Sequence, residues 1–162
     1  AIVGKEAYIK IKMNSFTSYE MVDKLYEASR AGVKIQLIVR GICCLVPGVK
    51  GMSENIEAIS IVDKFLEHTR LFVFANAGNP KVYISSADWM TRNLDYRVEV
   101  GCPIYDEDIK QELMDTFEIC WRDNLKARVF SEKQDNAYRK AKTPKHRSQF
   151  ETYDYYKNKL KA

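Results

Sequence analysis

His68 and Arg70 stand two residues apart in the segment FLEHTRLFVFAN, and their types suit them to handling phosphate. On an extended backbone, residues i and i+2 project to the same face. An imidazole and a guanidinium are costly to bury together. Side by side at a surface they suit an anion, because the guanidinium offers a two-pronged donor set and the imidazole a proton or a nucleophilic nitrogen. The competing reading is a surface His and Arg at the start of a strand, and the pattern alone leaves the two readings level.

Other residues could join this pair. Arg40 closes the apolar run VKIQLIVRG just before Gly41, at the end of a strand, where a phosphate-binding Arg would be placed. A strand-end salt bridge is its bland alternative. Glu99, between Val98 and Val100, alternates outward on a strand, and a solvated carboxylate is its ordinary reading. His146 lies in a basic tail and reads as solvated. Trp89 and Trp121 read as core or interface, and adjacent Cys43 and Cys44 as buried filling.

Several chemistries are excluded. The four cysteines form no C-x-x-C pair, and neither of the two histidines lies at ligand spacing from a Cys, so a zinc site is not expected. The stretch GVKG lacks the Lys-Ser/Thr of a P-loop, and no dinucleotide-binding glycine motif occurs. No apolar run nears the roughly 20 residues of a membrane span, and no signal peptide is visible, so free thiols in a reducing cytoplasm are expected. The missing initiator Met suggests a piece of a longer protein.

Charge is unevenly spread. Residues 1–125 carry 15 Lys and Arg against 18 Asp and Glu, whereas residues 126–162 carry 11 against 4. Such a tail is either a solvated helix or an attractor for nucleic acid, anionic membrane or another polyanion.

These residues need elements to position them. Alternation in AYIKIKM predicts a strand. Residues 17–32 predict a helix, with Thr17 and Glu20 as a capping box, Met21, Val22, Leu25 and Tyr26 as its apolar stripe, and Gly32 just past its end. VKIQLIVRG predicts a central strand parallel to the first through a right-handed crossover. A loop follows through residues 42–56, then a short strand and a helical turn in EAISIVDKFLEH. TRLFVFAN and KVYISSAD predict two strands around the turn NAGNP, and RVEVGCPI another that Pro103 ends. Residues 106–124 predict a helix burying Ile109, Leu113, Phe117 and Cys120. LKARVF predicts a short strand, and HRSQFETYDYYKNKL a last helix. The class is α/β, a mixed sheet flanked by helices.

The string of His68, Arg70, Ser85-Ser86-Ala87-Asp88 and Glu99 resembles the phospholipase D-type half-motif. In it, Arg70 stands where Lys is usual, Ser85 where Gly is usual, and Ala75 where a following Asp is usual. A longer set of motifs is similar to one branch of that superfamily, the polyphosphate kinases of the large, histidine-phosphorylating type. The set is KMNS, YEASRAGVKIQLIVRGICCLVPG, SENI, SIVDKFLEHTR and GNPKVYISSADWMTRNLDYRVEV, across residues 4–130.

The resemblance implies a phospholipase D-like C-terminal domain over residues 1–130, followed by a basic, partly helical tail over 131–162. It implies reversible transfer of the terminal phosphate of ATP to polyphosphate, assisted by Mg²⁺, through a phosphohistidine in a preceding domain. The piece alone is then expected to be inactive. Arg40 is expected to bind nucleotide or polyphosphate oxygens, His68 to steady phosphate charge or act as an acid, and Glu99 to hold a catalytic imidazole in its tautomer. Asn14, Arg70, Ser86 and Asp88 are expected second contacts, and no metal-ligand set is assigned. Expected partners are ATP or ADP, polyphosphate, the preceding domain and, at full length, further copies of the enzyme, with no specific nucleic acid. The expected location is cytoplasmic, with peripheral membrane association left open by the tail. The alternatives are a phospholipase D-like phosphodiesterase or nuclease acting as a homodimer, and a non-catalytic polyanion-binding module.

Overall fold

Alternating side chains make Tyr8–Met13 a strand, β1, and set its two faces against two different helices in the computed structural model, which describes residues 1–140 and 143–161. Ala141, Lys142 and Ala162 of the tail lie outside the described residues. Helix α1 (Tyr19–Arg30) follows, then β2 (Lys34–Val39), which pairs parallel with β1. Strand β3 (Ile56–Ile61) pairs parallel with β2. The chain then crosses to β4 (Leu71–Phe74), antiparallel to β1, and continues through β5 (Lys81–Ser85) and β6 (Gly101–Ile104), each antiparallel to its predecessor. Between β5 and β6 lies the short helix α2 (Thr91–Leu94). Helix α3 (Glu107–Trp121) leads to β7 (Ala127–Val129), antiparallel to β3, and α4 (Ser148–Lys159) closes the described chain. The strand order is β6-β5-β4-β1-β2-β3-β7.

Each face has its own apolar layer. Ile11, Met13, Ile35, Leu37, Val39 and Phe72 pack with Val22 and Leu25 of α1. Ile38, Ile59, Leu71, Val73 and Val82 pack with Phe117, Cys120 and Trp121 of α3. Both tryptophans are buried as expected, and Trp89 lies in the α1-side layer.

Several local expectations change. Ser18, not Thr17, caps α1: its hydroxyl accepts from the Met21 N–H at 3.4 Å, while the Thr17 N–H is drawn off to the Trp89 carbonyl at 2.8 Å. The helix ends as expected, with Gly32 at φ +88° and its N–H, with that of Val33, returning to Ser29 and Ala28 carbonyls. The helical turn expected after β3 does not form, and residues 62–70 are irregular. The strand expected from Arg97 starts only at Gly101, and Pro103 lies inside it rather than ending it. An edge strand tolerates a residue without an N–H. Ile109 and Cys44 are exposed, and Cys43 is only partly buried. His146 is partly buried, with Nδ1 2.9 Å from a Glu151 oxygen. No described helix is long and apolar enough to cross a membrane.

Candidate functional site

The strand directions decide which side chains meet. One end of the sheet collects the C-terminal ends of β1, β2, β3 and β5 and the N-terminal ends of β4, β6 and β7. Asn14 and Arg40 emerge there directly after β1 and β2, His68 and Arg70 directly before β4, Ser86 and Asp88 directly after β5, and Glu99 directly before β6. Open α/β sheets bind ligands beyond such ends.

Arg40 and Asn14 are neighbours through their backbone. The Arg40 N–H donates to the Met13 carbonyl at 3.1 Å and the Gly41 N–H to the Asn14 carbonyl at 2.7 Å. A Cβ at position 41 would stand 3.1 Å from that same carbonyl oxygen, a tight contact that would push the two strand ends apart by a few tenths of an ångström. The Arg40 carbonyl accepts from Ser60 Oγ at 2.9 Å, which fixes the backbone that carries the guanidinium.

His68 and Arg70 lie together, though not on a strand: both precede β4, and only the Arg70 carbonyl joins the ladder, accepting from the Ser85 N–H at 3.1 Å. The two imidazole nitrogens lie 3.3 and 3.2 Å from Arg70 Nη1 and Nη2. An imidazole has at most one acceptor nitrogen, so at most one of these approaches is a hydrogen bond. Arg70 Nη1 also donates to the His68 carbonyl at 3.2 Å. His68 itself is exposed.

Behind this pair, Arg70 commits its fork to Asp88, with Nε 3.1 Å from Oδ1 and Nη2 3.1 Å from Oδ2. Asp88 Oδ1 also accepts from the Asn14 N–H at 2.9 Å. Burial alone would raise the Asp88 pKa. The Arg70 hydrogen bonds, the N–H groups of Asn14 and Ser15 and the Arg70 charge outweigh it and hold the carboxyl below its usual range. The Asn14 side chain is buried and neither of its amide atoms has a partner among the described residues.

Glu99 occupies the β6 side of the same end. One carboxylate oxygen accepts from the Ser86 hydroxyl, and the other from Asn93 Nδ2 at 2.6 Å. Ser86 Oγ accepts in turn from the Val100 N–H at 3.0 Å. The Ser86 and Asn93 hydrogen bonds hold Glu99 below the ordinary carboxylate range against some burial, and the Arg97 and Arg70 charges add to them. Within the chain Glu99 does not touch His68; its partners are Ser86 and Asn93. Asn93 was not singled out from the sequence, where an Asn in a four-residue helix carries no signal. It is buried, and its Oδ1 has no partner among the described residues.

No group of three or more His, Cys, Asp or Glu side chains able to hold a metal occurs among the described residues. Asp88 is committed to Arg70, and Glu99 to Ser86 and Asn93.

The sequence matches the family described as polyphosphate kinase C-terminal domain 2 over residues 1–149. A polyphosphate kinase of Vibrio cholerae serotype O1 is 52% identical over 159 residues, which is 98% of this chain and 23% of that protein. That of Escherichia coli K12 is 46% identical over 156 residues, 96% and 23% of the two chains. The crystal structure of polyphosphate kinase from Porphyromonas gingivalis superposes with a TM-score of 0.94 at 44% identity, over 97% of this chain and 24% of that one. Nuc from Salmonella typhimurium, a phospholipase D family member, superposes with a TM-score of 0.59 at 15% identity, over 82% and 87% of the two chains. At that identity the likeness shows the fold alone, a phospholipase D-like domain. The chain spans about 23% of the curated relatives it matches.

Proposed function

The chain belongs to the polyphosphate kinase C-terminal domain family, and on that premise we propose that it forms one wall of a site for reversible phosphoryl transfer between ATP and polyphosphate. The terminal phosphoryl group of ATP passes to an imidazole nitrogen outside this chain as ADP leaves. A terminal oxygen of polyphosphate then takes it and frees the imidazole. This chain holds the charge that moves with the group. Such transfers need positioning and neutralisation more than elaborate covalent machinery.

Arg40 binds nucleotide or polyphosphate oxygens with a fork that no described contact occupies. His68 meets the travelling phosphoryl group as a donor or acid, backed by Arg70, which adds its charge. Asn14 and Ser86 are polar contacts close to that path, and Asp88 keeps Arg70 in place. Glu99 orients the imidazole of the preceding domain, as carboxylates do for histidines in catalysis. In the cell the enzyme acts in the cytoplasm, assembled from several copies.

The observation that carries the reading is the gathering of Arg40, His68, Arg70 and Glu99 at one open end of the sheet. Arg70 in place of Lys and Ala75 in place of Asp weigh against phosphodiesterase chemistry. In the full-length enzyme, Arg40→Ala, His68→Ala and Glu99→Ala are each expected to lower phosphoryl transfer about 100-fold or more. Wild-type rates in all three would end the proposal.

A further inference from the structure

Residues 62–70 deliver His68 to the sheet end, yet no helix or strand holds them. Burial does not hold them either, because Val62, Phe65 and Leu66 are exposed. What holds them is a set of polar contacts from α4 and its entry. Arg147 forks onto Asp63, with Nε 2.8 Å from Oδ2 and Nη2 2.7 Å from Oδ1, and the Asp63 side chain is 3% exposed. Two residues on, the Gln149 carboxamide accepts from the Phe65 N–H at 2.8 Å and donates to the Phe65 carbonyl at 2.8 Å. One side chain thus satisfies both backbone groups of Phe65, as a neighbouring strand would. The same Gln149 nitrogen donates to Glu67 Oε1 at 3.0 Å, while Glu67 Oε2 pairs with Lys12 of β1. The next residue is His68.

The clamp is itself anchored. Asp123 is fully buried. Its Oδ1 accepts from the N–H groups of Leu125, Lys126 and Ala127 at 3.0, 2.7 and 3.0 Å, and its Oδ2 from that of Ser148 at 2.8 Å. Further along α4, the Tyr155 hydroxyl donates to Asp115 at 3.0 Å and Lys159 pairs with Glu112, both on α3. The start of β7, the start of α4 and the segment before His68 are therefore tied into one polar assembly.

We propose that Arg147 and Gln149 are positioning residues for His68, and that the C-terminal helix is part of the phosphoryl-transfer apparatus although it touches none of the reacting atoms. This rests on the reading that His68 acts in that reaction. It also gives the basic tail a use unlike polyanion capture, since the Arg147 charge is turned inward onto Asp63.

The test uses the full-length enzyme carrying Gln149→Ala, Arg147→Met or Arg147→Lys, with His68→Ala alongside. Gln149→Ala and Arg147→Met are expected to lower kcat about tenfold or more, the scale of a misplaced catalytic group. Nucleotide KM should stay within about twofold, because groundstate binding is not what the clamp serves. Arg147→Lys, which keeps charge without the fork, should recover part of the loss. Hydrogen exchange at the Phe65 amide should be slow in the wild type and fast in Gln149→Ala. Wild-type kcat in both clamp variants, with His68→Ala crippled, would overturn the proposal and leave the functional reading standing. A wild-type rate in His68→Ala would overturn that reading and the proposal with it. If the clamp variants do not fold, fast exchange at Phe65 in the wild type overturns the proposal and protection there supports it.

Discussion

Arg70 and Asp88 form a two-pronged ion pair almost out of solvent, with side chains 10% and 6% exposed, directly behind the imidazole of His68. The pair ties the start of β4 to the turn after β5, and through the Asn14 N–H it also ties in the end of β1.

Breaking this pair from one side leaves a buried charge alone. Asp88→Ala is expected to destabilise the fold by about 3–5 kcal/mol, read by denaturant unfolding. The acid dependence has a definite sign. Asp88 is held low in the folded state, so its contribution is complete above an unfolded-state pKa of about 3.9 and is lost as pH falls through the lower folded value. Asp88→Asn should remove that part of the acid sensitivity, and an unchanged acid-unfolding slope would contradict it.

Glu99 should be ionised throughout the working range of the full-length enzyme because Ser86 and Asn93 bind its charged form. Asn93→Ala removes one of those bonds and raises the carboxyl pKa. The acid limb of the pH–rate profile should then move to higher pH, with a smaller loss on the plateau. Glu99→Gln should lower the plateau without a matching limb. A limb that stays in place in Asn93→Ala would show that Glu99 does not produce it.

Trp89 supports the polar network from beneath. Its ring meets Phe16 edge-on at 5.3 Å and stacks on Phe72 at 5.4 Å. Its carbonyl accepts from the Thr17 and Ser18 N–H groups at 2.8 and 2.9 Å. Trp89→Ala is expected to cost about 3–5 kcal/mol, and Trp89→Phe less, because part of the volume is kept. Melting temperatures would rank the two variants, and equal values would mean the ring does not carry the layer.

Much of this was legible from local pattern. The β1–α1–β2 unit, the β4–β5 hairpin, α3, β7 and the last helix follow from periodicity and turn residues, which act over a few positions. Misreadings fall where a distant partner intervenes. The alternation in YIKIKM predicts the strand but not that Lys10 and Lys12 lie against α3, with Lys10 Nζ 2.5 Å from Glu118 and Lys12 Nζ 3.1 Å from Cys120 Sγ. The segment after β3 reads as a helical turn, but Gln149, 84 residues away from Phe65, takes up its backbone groups. His146 reads as solvated, but its N–H donates to Asn124 Oδ1, 22 residues back, and its Nδ1 lies 2.9 Å from a Glu151 oxygen.

The sequence by itself determined the family and the residue types available for phosphate chemistry, because long contiguous motifs and the chemistry of each side chain survive without coordinates. It also determined most of the stretches that extend or coil, since those preferences arise within a turn or a pleat, but not the segment after β3 or the start of β6. Only the tertiary structure decided that Asn14, Arg40, His68, Arg70, Asp88 and Glu99 share one end of the sheet, because that depends on strand order and direction. It alone decided that Asp88 faces Arg70 and that α4 grips the approach to His68. Contacts across tens of residues are set by which surfaces can be buried and which charges can be satisfied together, and no local pattern encodes that.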